Sequence, residues 1–454
     1  MGWNNKTYFG MANIKDKLRG KLIYIAIRRV YLFIRSCPKM LAKASDKYVY
    51  INWLKFESQF RYIVGKPTAK FDLVIIDDFL PNNFSPFRAN EFAFLLSHVE
   101  HSALFSIIAT RLRLEYEYAY GHVKNEIEFE NYKKDYIEKF QLTNHQIFPF
   151  YNHIKINTGL AYIVFLSNAH YLIDYLEKRK IKFILELYPG GGFQMTEGEP
   201  LKKLARVLGS PCLASVIVTM KNTHQYVLEK KLCPLSKIEY KYGGILPAHF
   251  FNLPDKAIKY GANKKTIDIC FTAAKYMPKG LDKGYDIFID MAHLLLQKSA
   301  IFHFHVVGNY DKGDIEIEPR FLSNVHFYGF LKTDEFIGFY SDKDIFVSPS
   351  RPYVLGKGAF DGFPTTACAE AGLNGLCMVV SDPLDLNVIF EDKIDVIIVE
   401  NDPAQFANAI LGLSKKPDEI YSMGIKGKEK LKTINPEDQL DFRLSVINKH
   451  LKND

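Results

Sequence analysis

Along this chain, short runs of consecutive apolar residues alternate with longer segments whose apolar positions recur at helical spacing. The first such run, "FDLVIID" (71–77), ends at Asp77-Asp78 and a Pro-Asn-Asn turn, which predicts a buried strand and then a loop. "RANEFAFLLSHV" reads as the next helix. Strand-like "YIVFLSN" (162–168), helix-like "HYLIDYLEKR" and strand-like "KFILELY" (182–188) follow. Then come "CLASVIVT" (212–219), a helix from Thr223 to Lys230, and "IEYKYGGILP" (238–247). A polar stretch marked by Gly and Pro, "NLPDKAIKYGANKK" (252–265), separates a second series of the same kind. Its strands are expected at 266–274, 302–308, 325–329, 344–350, 377–382 and 395–400, with helices at 284–298, 333–341, 365–374 and 403–413.

Strands that are apolar throughout are buried on both faces, as in parallel sheets covered by helices. The expected fold class is therefore α/β, with two doubly wound, Rossmann-like domains facing a central cleft. Their expected bounds are 69–255 and 256–454, with the last helix crossing back, behind a basic N-terminal helical extension over residues 1–68. Ligands of open sheets sit at the carboxyl ends of the strands.

Charge changes the picture only at the N-terminus. Residues 1–70 hold 15 Lys and Arg against 3 Asp and Glu, which leaves 44 against 48 for residues 71–454. The longest apolar runs of the extension, Leu22–Ile27 and Val30–Ile34, are broken by Arg28-Arg29, well short of the roughly 20 residues a bilayer core requires. No transmembrane span and no cleaved signal are expected there. On a helix, Lys17, Lys21, Arg28 and Arg35 form a basic stripe, suited to an anionic membrane surface or to the solvated side of a helix docked on its own domain. No zinc-finger, RNP-like or helix-turn-helix pattern supports nucleic-acid binding. The six cysteines show no CxxC pair and read as thiols of a reducing compartment.

The chemistry-bearing residues gather in the second half. After "CFTAA" comes "KYMPKGLDKGYD", where Lys275, Lys279 and Lys283 accompany Gly280 and Gly284 at a strand end leading into a helix. That combination suits a phosphate, or a plain solvated loop. Phe330-Leu331 follows another strand end and could hold a flat ring, or belong to the core. "FDGFPTTACAEAG" (360–372) sets Asp361 and Glu370 around a Gly-Phe-Pro turn and two threonines. Thr365 or Thr366 would cap the following helix, whose free N–H groups favour an anion. By itself the stretch reads either as a turn with a surface glutamate or as a ligand clamp. "DKD" (342–344) fits a metal-binding Asp-x-Asp pattern, but Asp344 heads a strand, so no metal is expected.

Taken in order, "AKYMPKGLDKG", "HFYGFL", "DIFVSPS" and "DGFPTTACAEAGLNG" with "CMVVSD" resemble the nucleotide-binding domain of retaining family-4 glycosyltransferases (glycosyl transferases group 1), which have the GT-B fold. The resemblance covers roughly residues 266–415. "LPNNFSPFRANEF" and "LYPGGGF" look like acceptor-side loops of a subgroup. The resemblance implies that Lys275 and Lys283 hold the diphosphate of a UDP- or GDP-sugar, with Lys279 as the alternative to Lys275. Glu370 would bind the ribose and the Phe330-Leu331 backbone the base. Asp361 would touch donor-sugar hydroxyls, one residue farther from Glu370 than the acid it stands for. Gly362, Phe363 and Pro364 would close on the donor, and Thr365 and Thr366 would add phosphate contacts. Arg88, Gly190 and Gly191 would face the acceptor, or else serve as a helix-surface arginine and a loop-shaping glycine turn. "YPGGGFQM" lacks the family's first-domain histidine.

The resulting expectation is a nucleotide-sugar-dependent, retaining glycosyltransferase with no permanently bound cofactor. It would work on a glycan or lipid-linked acceptor in cell-surface polysaccharide synthesis, peripherally at a cytoplasmic membrane face. The alternatives are a sugar-nucleotide epimerase of the same fold and a non-catalytic sugar-nucleotide-binding subunit.

Overall fold

The computed structural model describes residues 70–82, 85–107, 123, 126–152 and 154–452. The basic extension expected over residues 1–68 lies outside the described residues. Residues Phe71–Pro149 and Thr158–Asp454 belong to one compact unit, and the functional elements below lie in it.

The first sheet contains β1 (Lys70–Asp77), β2 (Ser102–Ile107), β3 (Ile147–Phe150), β4 (Asn157–Val164), β5 (Lys182–Leu187), β6 (Leu213–Val218) and β7 (Ile238–Tyr240). Their spatial order is β3-β2-β1-β4-β5-β6-β7. The second contains β8 (Ile267–Thr272), β9 (Phe302–Val307), β10 (Val325–Phe327), β11 (Ile345–Ser348), β12 (Cys377–Val380) and β13 (Ile397–Ile398), ordered β10-β9-β8-β11-β12-β13. The pairings β1–β2, β4–β5, β8–β9, β8–β11 and β11–β12 are all parallel. Each sheet starts in its middle and reverses direction once, between β1 and β4 and between β8 and β11. These are the switch points where an open α/β sheet leaves a crevice at its strand ends.

Helices cover the sheets as the apolar strands require. In the first domain they are α1 (Pro86–His98), α2 (Glu126–Phe140), α3 (Leu166–Arg179), α4 (Glu199–Leu208) and α5 (Lys221–Lys230). In the second they are α6 (Tyr285–Leu296), α7 (Glu335–Tyr340), α8 (Thr366–Leu373), α9 (Pro403–Ser414) and α10 (Pro417–Leu431). Phe288 of α6 and Phe406 of α9 join β8 and β9 in one core, while Phe92 of α1 and Tyr162 of β4 anchor the other.

The final helix, α11 (Pro436–Leu451), buries Val446 and Ile447 in the first-domain core. Its Arg443 is fully buried and gives Nε to Glu186 Oε1 of β5 at 2.9 Å and Nη2 to the Tyr188 hydroxyl at 2.9 Å.

Three expected strands are corrected. "YIVFLSN" is not one strand: β4 ends at Val164, Phe165 turns to φ +74°, and Leu166–Asn168 begin α3. The buried Asn168 gives its amide to Asp78 Oδ1 at 3.0 Å, a partner far along the chain that favours the helical start. Of "IEYKYGGILP" only Ile238–Tyr240 pairs, because Gly243 at φ +95° directs the chain away. Of residues 395–400 only Ile397–Ile398 pair, at the sheet edge.

Candidate functional site

A cavity of about 320 Å³ opens where the carboxyl ends of the two sheets meet. Phe165 after β4, Tyr188 after β5, Thr272 at the end of β8 and Ser348 at the end of β11 all line it. It therefore occupies the place that the strand orders mark out.

The second-domain wall begins with a 3-10 turn, Pro278–Lys283, that brings Lys283 into the cavity. Gly284 closes this turn at φ +68°, and a Cβ there would lie 2.0 Å from the Pro349 carbonyl oxygen, so the close approach requires glycine. The Lys283 ammonium donates to both Asp361 oxygens at 2.7 Å. It also lies 5.0 Å from the Tyr276 ring centroid and 3.8 Å from Asp282 Oδ2. The Ser350 hydroxyl donates to Asp361 Oδ2.

Burial pushes the Asp361 carboxyl up, but the Lys283 charge and the hydrogen bonds of Lys283 and Ser350 outweigh it and hold the carboxyl below its ordinary value. Burial likewise depresses Lys283, and Asp361 more than restores it. The two groups are thus an ionised pair.

Beside the pair, the sequence Gly362-Phe363-Pro364-Thr365-Thr366 curls over the cavity and starts α8. Thr365 caps the helix, its Oγ1 accepting from the Cys368 amide at 3.2 Å. Helix geometry leaves the Thr366 and Ala367 amides without intrahelical acceptors, at the positive end of the helix dipole. Tyr242 of the first domain donates its hydroxyl to the Phe363 carbonyl at 2.6 Å, tying the turn across the cleft.

The structure brings Lys283, Asp361, Gly362, Phe363, Pro364, Thr365 and Thr366 together as cavity lining. Glu370 lies one turn into α8, buried, outside that lining, and burial alone pushes its carboxyl up to about 8. Lys275 also stands apart: its ammonium meets Asp314 Oδ1 at 2.6 Å and lies 5.8 Å from the Tyr310 ring centroid. Lys279 is exposed on the turn at φ +60°. Phe330, half exposed, and Leu331 follow β10 away from the cavity lining.

Arg88 is buried against β1, with Nη1 2.8 Å from Asp77 Oδ2 and 3.0 Å from Asp78 Oδ1. It orders the first strand end and is not itself in the lining. Gly190 and Gly191, at φ +81° and +52°, shape the loop after β5 next to the lining residue Pro189. Asp344 is buried and accepts from the Asp268 amide at 2.8 Å and from the Tyr421 hydroxyl at 2.7 Å, a structural role. Among the described residues, no group of three or more His, Cys, Asp or Glu is placed to hold a metal ion.

Sequence reasoning missed the first-domain wall. Phe87, Phe165, Tyr188 and Met220 line it, with Gly243–Leu246 and Ile434. The available signal was the aromatic residue at each strand end, which reads equally well as core.

Residues 268–416, about a third of the chain, match the family of glycosyl transferases group 1. A search of curated proteins finds no match. Among solved structures, sucrose-phosphate synthase from Thermosynechococcus elongatus is 13% identical, with a TM-score of 0.55 over 84% of this chain and 99% of that one. HepE of Anabaena, in complex with UDP, is 9% identical, with a TM-score of 0.56 over 83% and 98%. The match to S. aureus TarM, 15% identical with a TM-score of 0.48, covers 64% of this chain and 55% of that one. Two parallel-sheet domains in this arrangement give the chain the GT-B fold of these structures, and the segment that is similar to the glycosyl transferases group 1 family forms the Lys283–Asp361 wall.

Proposed function

We propose that this chain is a retaining glycosyltransferase that moves a sugar from a UDP- or GDP-sugar to a glycan or lipid-linked glycan acceptor in cell-surface polysaccharide synthesis. The observation that carries the reading is the Lys283–Asp361 pair beside the α8 N-terminus, inside the cavity at the strand ends. Breaking a sugar–phosphate bond moves negative charge onto the diphosphate and leaves positive charge at the anomeric carbon. Fixed donors and charges aimed at those atoms lower the barrier without reorganising.

Lys283 and the Thr366 and Ala367 amides answer the diphosphate, and the Asp361 carboxylate answers the sugar. Lys283 exchanges part of its pairing with Asp361 for the phosphate oxygens as the donor enters. Glu370, on the same helix, accepts from the ribose hydroxyls. The complexes of HepE with UDP and with UDP-glucose support UDP-sugars as the first donors to try. The basic segment 1–68 holds the enzyme at an anionic cytoplasmic membrane face. No described helix is long and apolar enough to cross a membrane.

The test is release of nucleoside diphosphate from a panel of UDP- and GDP-sugars incubated with the full chain, with and without oligosaccharide acceptors. Release by the wild type that Lys283→Ala and Glu370→Ala abolish supports transferase chemistry. Donor binding with no release by the wild type favours a non-catalytic subunit, and epimerised donor favours the epimerase.

A further inference from the structure

Between β8 and α6 the chain sends alternate side chains to opposite sides. Ala274 and Tyr276, two apart, both line the cavity, and the intervening Lys275 does not. Lys275 is fastened to the loop after β9. Its amide donates to Asn309 Oδ1 at 2.8 Å and its ammonium to Asp314 Oδ1 at 2.6 Å. Asp314 is itself fixed, since its Oδ2 accepts from the Asp311 amide at 3.0 Å. Backbone and side chain of Lys275 are thus both engaged away from the cavity, and Tyr276 takes the inward place.

The Tyr276 ring lies against the cation of the site, with the Lys283 ammonium 5.0 Å from its centroid, a cation–π distance. The charges of Lys283, Asp361 and Asp282 of the second domain and of Arg88 of the first all act on its phenol. The hydroxyl end therefore stands among charged groups from both sides of the cleft. Withdrawal from bulk water into that cleft is the largest influence and pushes the phenol above its ordinary value, so it keeps a proton to donate at neutral pH.

That proton is uncommitted. The Tyr188 hydroxyl accepts from Arg443 and the Tyr242 hydroxyl donates to the Phe363 carbonyl. Among the described residues nothing accepts from the Tyr276 hydroxyl, and the residue is 42% exposed.

The charge balance says what it would bind. Of the second-domain residues in the lining, Lys283 alone is a cation. Asp361 already pairs with it, and Asp282 Oδ2 lies 3.8 Å from its ammonium. A diphosphate carries more negative charge than one such lysine balances, so it calls for further donors that bring no carboxylate. A phenol hydroxyl is one, and a hydrogen bond to an ionised oxygen is among the stronger kinds.

We propose that the Tyr276 hydroxyl donates a hydrogen bond to the diphosphate held by Lys283, in the place that the sequence offers to Lys275. The proposal rests on the glycosyl-transfer reading and names a further binding residue of that same site.

The test uses the full chain as wild type, Tyr276→Phe and Tyr276→Leu. UDP and pyrophosphate are titrated by calorimetry, and uridine is observed by saturation-transfer NMR. The phenylalanine variant keeps the ring over Lys283 and removes only the hydroxyl. It should bind UDP and pyrophosphate roughly 10-fold more weakly, the low end for a bond to a charged group because the site is open to water. Uridine should saturate equally in all three proteins, which reports that they fold and keep the nucleoside site. The leucine variant should bind UDP no more tightly than the phenylalanine variant.

Wild-type UDP affinity in Tyr276→Phe overturns the proposal and leaves the transfer reading standing. This holds even if Tyr276→Leu is weak, because the ring alone would then be at work. Loss of uridine together with UDP in Tyr276→Phe also overturns it, by assigning Tyr276 to the nucleoside or to folding. A wild type whose pyrophosphate binding needs the hydroxyl, but which binds neither UDP nor uridine, keeps the anion contact and overturns the transfer reading. A wild type that binds none of the three overturns both.

Discussion

Glu370 and Asp361 flank the same turn, yet their surroundings favour different protonation states. Asp361 has Lys283 and Ser350 and stays ionised. Burial alone acts on Glu370 and raises its carboxyl from 4.5 to about 8. A folded state that keeps a proton the unfolded chain has lost is favoured at low pH. This contribution is complete below about pH 4.5 and disappears as pH rises to about 8. Thermal melts of Glu370→Gln should therefore decline less over that interval than those of the wild type, and the variant should be the more stable at its upper end. Parallel curves would show that Glu370 does not titrate this way. Ribose hydroxyls donating to the carboxylate would favour its charged form, so donor binding near neutral pH should release a proton. Titrations in buffers of different ionisation heat read that release.

Among elements, α8 concentrates the site in its first turn. Thr365 is both its N-cap and a cavity residue. Thr365→Ala should lower urea stability by about 1 kcal/mol, and Thr365→Ser should restore it; equal stability of all three proteins would contradict the cap. This element was legible in the sequence, because its cap, glycine, proline and small residues are local signals packed into thirteen positions. The same holds for the lysine turn, where Gly284 marks the positive φ that puts Lys283 in place. Phe165 was not legible. Nothing in "YIVFLSN" announces a phenylalanine at φ +74°, since that conformation is imposed by Gly191 and the Asp78–Asn168 contact from elsewhere in the chain. The loop of lysines and glycines gave Lys275 and Lys283 equal standing. The Asp314 carboxylate, 39 residues beyond Lys275, separates them in space.

For the whole molecule, the last helix joins the two halves of the site. Arg443 reaches Glu186 across 257 positions of sequence. The Gln439 side-chain amide donates to the Tyr242 carbonyl at 2.8 Å, and the Tyr242 hydroxyl holds Phe363. Removing the arginine strands a buried carboxylate, so Arg443→Met should cost about 3–5 kcal/mol. Urea unfolding measures this, and a cost below about 1 kcal/mol would mean that the pair is not buried as described. At the same scale, the membrane proposal predicts that deleting residues 1–68 abolishes flotation with anionic liposomes and leaves UDP affinity intact. Undiminished flotation would contradict it.

The reaction proposed for the cavity at the strand ends depends most directly on Lys283 as its diphosphate ligand. Calorimetric titration of UDP into the wild type and into Lys283→Ala measures that claim. One charge-assisted hydrogen bond contributes about 1.5–3 kcal/mol, so the variant should bind roughly 10- to 150-fold more weakly. UDP binding of equal strength in both proteins would contradict it.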